Sequence, residues 1–203
     1  VVHYTQRRSG EDILKELRLD LESWDVVDVP SDEALAAGAS IRLNIATPVQ
    51  VSREGRITTI HMHHGDLIGA LTENGIELAL WDELWTPQGR LGPQQGLSVQ
   101  APERGASLSA VINKIRSPQY VTIVRATRLT VIDDGTPGAF MTTADTVGEA
   151  LQRGGVAVYE GDRIVPGLEW PVVPGLPVEI QRASPVSIDV DGKVRRLGTR
   201  ATT

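Results

Sequence analysis

Three stretches of the chain alternate apolar with polar residues and finish in an acidic residue followed by glycine. They are 46–55 (Ala-Thr-Pro-Val-Gln-Val-Ser-Arg-Glu-Gly), 126–135 (Ala-Thr-Arg-Leu-Thr-Val-Ile-Asp-Asp-Gly) and 183–192 (Ala-Ser-Pro-Val-Ser-Ile-Asp-Val-Asp-Gly). Alternation at period two places one face of a strand against a core, and the Glu-Gly or Asp-Gly pair supplies the positive φ of a tight turn, so each predicts a β-hairpin. Beyond the second strand the apolar spacing changes to three and four. Residues 65–71 align with 145–151 and with 11–17, and each set predicts a short helix laid on a sheet, with an Asp or Thr near its start to cap it. Asn74-Gly75 and Gly154-Gly155 then close two of these helices, the second glycine taking the left-handed conformation.

The stretches after the helices also correspond. Trp24-Asp25, Trp81-Asp82 and Gly161-Asp162 lead to Pro30, Pro87 and Pro166 and on to Gly38, Gly96 and Gly175. A last alternating strand follows, 41–45, 121–125 and 178–182, and it runs directly into Ala46, Ala126 and Ala183. The expectation is one unbroken strand shared between consecutive units, which would make the array stiff. Each copy therefore reads strand, turn, strand, helix, irregular Pro-containing stretch, strand. That order predicts an α+β fold of tandem β-grasp (ubiquitin-like) units. The expected divisions are a partial unit over 1–45, a unit over 46–125 with an insertion at about 97–120, a unit over 126–182, and a partial unit, a hairpin, over 183–203, with Thr203 at the start of a further helix.

The set Ala-Ser-Pro-Val-Ser-Ile-Asp-Val-Asp-Gly, Thr-Thr-Ala-Asp-Thr-Val-Gly-Glu-Ala-Leu, Gly-Asp-Arg-Ile-Val-Pro and Pro-Gly-Leu-Pro-Val-Glu-Ile resembles a known family. It is similar to the ubiquitin-like tandem repeats, a domain of unknown function, found in resuscitation-promoting factors and related bacterial cell-wall proteins. Residues 126–182 carry the resemblance best and 46–100 carry it well. The resemblance implies an extracellular or cell-wall-associated module beside other domains of a parent chain, acting as a spacer or attachment element with no catalytic residues of its own. It also makes peptidoglycan, or another cell-wall glycan, the candidate partner.

Composition narrows the alternatives. With 20 Lys and Arg against 26 Asp and Glu the formal net charge is −6, which disfavours nucleic acid and anionic membrane surfaces. The chain has no cysteine, so disulfides and thiol chemistry are out. No apolar run reaches the roughly 18 residues of a membrane span. No cofactor motif stands out.

Few residues offer chemistry. His61, His63 and His64 form the one concentrated ligand set; a strand would place His61 and His63 on one face, as a shared zinc ion would need, although a solvated strand end explains them more simply. The Asp133-Asp134-Gly135 and Asp189-Val190-Asp191-Gly192 runs resemble calcium loops without the closing glutamate, and hairpin turns account for them better. Four of the eight aromatic residues are tryptophan. Trp24 and Trp81 occupy equivalent places and suit a core or interdomain role, whereas Trp85 and Trp170 are candidates for exposed contact with a ligand or partner. In the insertion, Leu108, Val111, Ile112 and Ile115 recur at helical spacing behind Ser107, a helix cap. They predict an amphipathic helix, either a lid on its own domain or a docking element. Finally, an uncovered hairpin at 183–203 and a sheet lacking its opening strand at 1–45 lead to the expectation of head-to-tail self-association, or of fraying.

Overall fold

The computed structural model describes residues 4–19, 21–28, 35–36, 38–92, 96–97 and 105–199. Pro30 and the helix start expected at Thr203 lie outside the described residues. The protein divides into two compact units, one formed by 1–78 and 84–123, the other by 79–83 and 124–203.

The second unit is the simpler. Strands β8 (Thr127–Asp133) and β9 (Thr136–Thr142) form a hairpin, followed by helix α4 (Val147–Arg153), β10 (Arg163–Val165) and β11 (Val178–Gln181). The sheet order is β10-β11-β8-β9, with β11 parallel to β8 and every other pair antiparallel. Asp134 and Gly135 both take positive φ, 44° and 83°, as a two-residue hairpin turn demands. Thr146 caps α4 by accepting from the Glu149 N–H, and Val147, Ala150 and Leu151 point one buried stripe at the sheet, against Leu129, Val131, Val178 and Ile180. A further hairpin, β12 (Ser184–Val190) with β13 (Lys193–Thr199), forms a two-stranded sheet of its own, and Val186, Ile188, Val190 and Val194 are exposed on it.

The first unit contains a sheet assembled by the same rules. Its strands are β3 (Thr47–Arg53), β4 (Arg56–Met62), β5 (Glu83–Thr86), β6 (Gly89–Leu91) and β7 (Gln119–Val124), in the order β4-β3-β7-β5-β6. Here too the first strand of the hairpin pairs in parallel with the last strand: Val51 faces Val121 as Val131 faces Val178. Helix α2 (Leu67–Glu73), capped by Asp66, buries Leu67, Ala70 and Leu71 on Val49, Ile60, Met62 and Val121. Two backbones come close beside this helix. A Cβ on Gly96 would lie 2.6 Å from the Gly65 carbonyl oxygen, and Gly65 itself has a φ of 76°, so neither position admits a side chain without movement.

The same unit holds helix α1 (Gly10–Glu16), a small antiparallel pair β1 (Val26–Asp28) and β2 (Arg42–Asn44), and helix α3 (Leu108–Ile115). Helix α1 begins at Ser9, whose hydroxyl accepts from the Asp12 N–H. It therefore starts three residues ahead of the place set by α2 and α4, where Ile13 would be the first helical residue. Ile13 and Leu17 are only half-buried, and exposed Glu16 stands where the other two helices bury alanine.

Two expectations are corrected. The strand expected to run unbroken between copies is interrupted each time by two residues that belong to no strand, Ile45-Ala46, Arg125-Ala126 and Arg182-Ala183. The cause is that each alanine N–H donates to an aspartate side chain rather than to a strand. The Pro-containing stretches, expected to be irregular, contribute the short strands β1, β5, β6 and β10.

Candidate functional site

The most highly ordered polar arrangement is one that occurs three times. Asp82 Oδ2 accepts from the Ala79 N–H at 2.9 Å, its Oδ1 from the Ala126 N–H at 2.9 Å, and the Arg125 guanidinium binds Oδ2. Asp162 repeats this with the N–H groups of Tyr159 (3.0 Å) and Ala183 (2.9 Å) and with Arg182 Nη1 (2.8 Å). Asp25 accepts from Glu22 and Ala46, both at 2.9 Å, and from Arg116 Nη2 at 2.6 Å. The three carboxylates are 2%, 1% and 0% exposed respectively.

Burial by itself would raise the pKa of Asp25 and Asp82, but the backbone N–H donors and the arginines outweigh it, and both carboxyls are held below the ordinary value. At Asp162 the Ala183 and Tyr159 N–H groups do most to lower it. A carboxylate kept ionised, with donors on both oxygens, is chemically a fastener rather than a proton carrier.

Arg182 does more than bind Asp162. Beyond Asp162 it donates from Nε (2.6 Å) and Nη2 to Asp133 and from Nη1 to the Ala157 carbonyl (2.7 Å), and it lies 5.8 Å from the centre of the Tyr159 ring. Asp133 is lowered chiefly by that hydrogen bond from Arg182. The three aspartates were visible in the sequence as aligned positions. Their role was not, although the repeated Arg-Ala at 125–126 and 182–183 was a usable signal.

The histidines converge on a tryptophan. The His61 ring stacks on Trp24 at 4.0 Å with 17° between the planes, and His63 Nε2 lies 3.0 Å from the Trp24 carbonyl oxygen, so that nitrogen carries the proton. Burial holds the His61 pKa below its ordinary value, with neighbouring Asp25 pulling the other way. His64 is exposed, with a φ of 54°. Among the described residues no group of three or more His, Cys, Asp or Glu side chains could hold a metal ion.

Of the core or interdomain role expected for Trp24 and Trp81, the core half is corrected, whereas Trp24 does meet His61 and His63 of the next expected unit. Trp24 is 43% and Trp81 60% exposed, so neither is a core residue; Trp81 sits in the turn that Asp82 organises, where its ring is carried outward. Trp85 and Trp170 are exposed as well, at 39% and 57%. The backbone of Trp170 is fixed, because its carbonyl accepts from the Val147 N–H at 2.8 Å, one of the donors that the first turn of α4 leaves unused. The ring is thus presented from a rigid base.

In the insertion, Ser107 caps α3 by accepting from the Ala110 N–H at 3.2 Å. Of the four apolar positions, Leu108, Val111 and Ile115 are half-buried, but Ile112 is 5% exposed. Ile112 is therefore an internal packing residue and not a contact for a partner. The 133–135 and 189–192 runs are hairpin turns.

No helix among the described residues is long and apolar enough to cross a membrane. No curated protein matches the chain. Residues 129–169, from β8 through β9, α4 and β10, match the family described as the G5-linked-Ubiquitin-like domain, the ubiquitin-like family that the sequence motifs resemble.

Proposed function

We propose that the chain is a run of β-grasp units, partial over 1–45, complete over 46–125 and 126–182, and partial over 183–203, serving as a non-catalytic spacer or attachment module outside a bacterial cell, in a cell-wall-associated protein. The observation that carries this is the thrice-repeated aspartate. In each copy it ties the turn after the helix to the first residue of the following copy, which is what a chain of fastened modules requires. The matched ubiquitin-like family is not a known catalytic one, which is consistent with a mechanical role.

A second reading, a glycan-binding module, is favoured by a specific feature. Trp85 and Trp170 are exposed, and Trp170 is held by its backbone, as a flat surface for stacking on a sugar would need to be. Sedimentation with purified peptidoglycan separates the two. A spacer stays in the supernatant, in wild type and in the Trp85→Ala/Trp170→Ala variant alike. A glycan binder pellets as wild type and is released by the double substitution. Turnover of peptidoglycan by this chain alone would overturn both.

A further inference from the structure

We infer that the inserted helix α3 is a latch, whose Arg116 supplies to Asp25 the guanidinium that the first copy lacks at the position before Ala46. In the other two copies the arginine stands immediately before the alanine, as Arg125 before Ala126 and Arg182 before Ala183. In the first copy that place is taken by Ile45, an apolar and buried residue, while everything else about the arrangement persists: the same aspartate, the same donor three residues earlier, the same alanine N–H.

A carboxylate with no exposed surface, left with only two neutral donors, carries a desolvation cost that an arginine offsets. Arg116 meets that need from 91 residues away in sequence. It reaches Asp25 from the C-cap of α3, where a cation also complements the helix terminus.

The import is visible as an imperfect fit. Arg182 donates from Nε as well as both terminal nitrogens, whereas the buried Nε of Arg116 has no hydrogen-bond partner among the described residues. An arginine placed by a separate helix reaches the carboxylate with one corner only. The seating of α3 and that of residues 22–28 and 42–46 are thereby coupled, since displacing the helix leaves Asp25 buried and without its cation.

Hydrogen exchange on the whole 203-residue chain tests this. In Arg116→Ala, peptides covering Glu22, β1, β2 and Ala46 should exchange at least about tenfold faster, with those of α2, β3 and β4 unchanged. Adding Ile45→Arg, which restores the arrangement of the other two copies, should return these same peptides toward wild-type rates. Unchanged protection in Arg116→Ala, or faster exchange spread evenly over the whole unit, overturns the latch. A double variant that exchanges as fast as Arg116→Ala overturns the equivalence with Arg125 and Arg182.

Discussion

The aspartates at 162 and 25 receive the same backbone donors at nearly the same distances, yet their arginines come from opposite sources. At Asp162 the cation is Arg182, directly after β11 and directly before Ala183, and it binds two carboxylates and a carbonyl at once. At Asp25 it comes from the C-cap of α3, 91 residues away, and makes one contact, through Nη2. The comparison teaches that the invariant part of the fastener is the aspartate with its two N–H groups. The cation is a separate requirement, set by burying the charge, and the chain meets it by whatever arginine can reach.

The largest effect is expected from removing one of the buried anions. Asp162→Ala leaves Arg182 and the N–H groups of Tyr159 and Ala183 short of an acceptor, and should cost about 3 kcal/mol, read by urea denaturation of the second unit. A smaller cost, about 1–3 kcal/mol, is expected for Gly154→Ala, because the new methyl would meet the Phe140 ring at 2.4 Å. The first unit has Asn74 at the corresponding helix end, its side chain donating to the Ala70 carbonyl, so Asn74→Ala should cost only about 1 kcal/mol or less.

Charge-conserving substitutions sharpen the contrast between the two arginines. Arg182→Lys should cost about 1–2 kcal/mol, since one ammonium cannot span Asp133 and Asp162 together. Arg116→Lys, which replaces a single contact, should cost less than half as much by the same measurement.

The smallest expected effects are in pH dependence. The lowered carboxyls of Asp25, Asp82 and Asp162 contribute stability that is complete above an unfolded pKa of about 4, and lost as pH falls through their depressed folded values. Both units should share this acid limb. The lowered pKa of His61 adds a loss that begins higher, as pH falls through about 6.5, because the unfolded chain takes up the proton more readily than the stacked, half-buried ring does. All four histidines lie in the first unit, so only that unit should weaken between about pH 7 and 5, and His61→Phe should remove that slope. Equal slopes in the two units would break the distinction.

What could be read along the chain is what short-range chemistry controls. Glu54-Gly55, Asp134-Gly135 and Asp191-Gly192 specify their turns, since glycine takes the positive φ of the second position at no steric cost and aspartate tolerates that of the first in two of the three. Ser107, Asp66 and Thr146 start their helices because a side-chain oxygen reaches an N–H three residues on, and the stripes Leu67-Ala70-Leu71 and Val147-Ala150-Leu151 follow from helical spacing. The period-two hairpins fixed which residues would enter the two cores.

Tertiary structure decided the rest. That Trp81 turns outward, that Ile112 turns inward and that His61 stacks on Trp24 depend on what the other elements have already covered, which no local period records. The breaks at Ala46, Ala126 and Ala183 depend on a carboxylate about 21–44 residues earlier competing with the neighbouring strand for one N–H. The pairing of Asp25 with Arg116 is the extreme case. Hydrophobic patterning places apolar faces, but a buried charge takes its partner from whatever side chain the finished packing brings within reach, and that is a property of the folded chain alone.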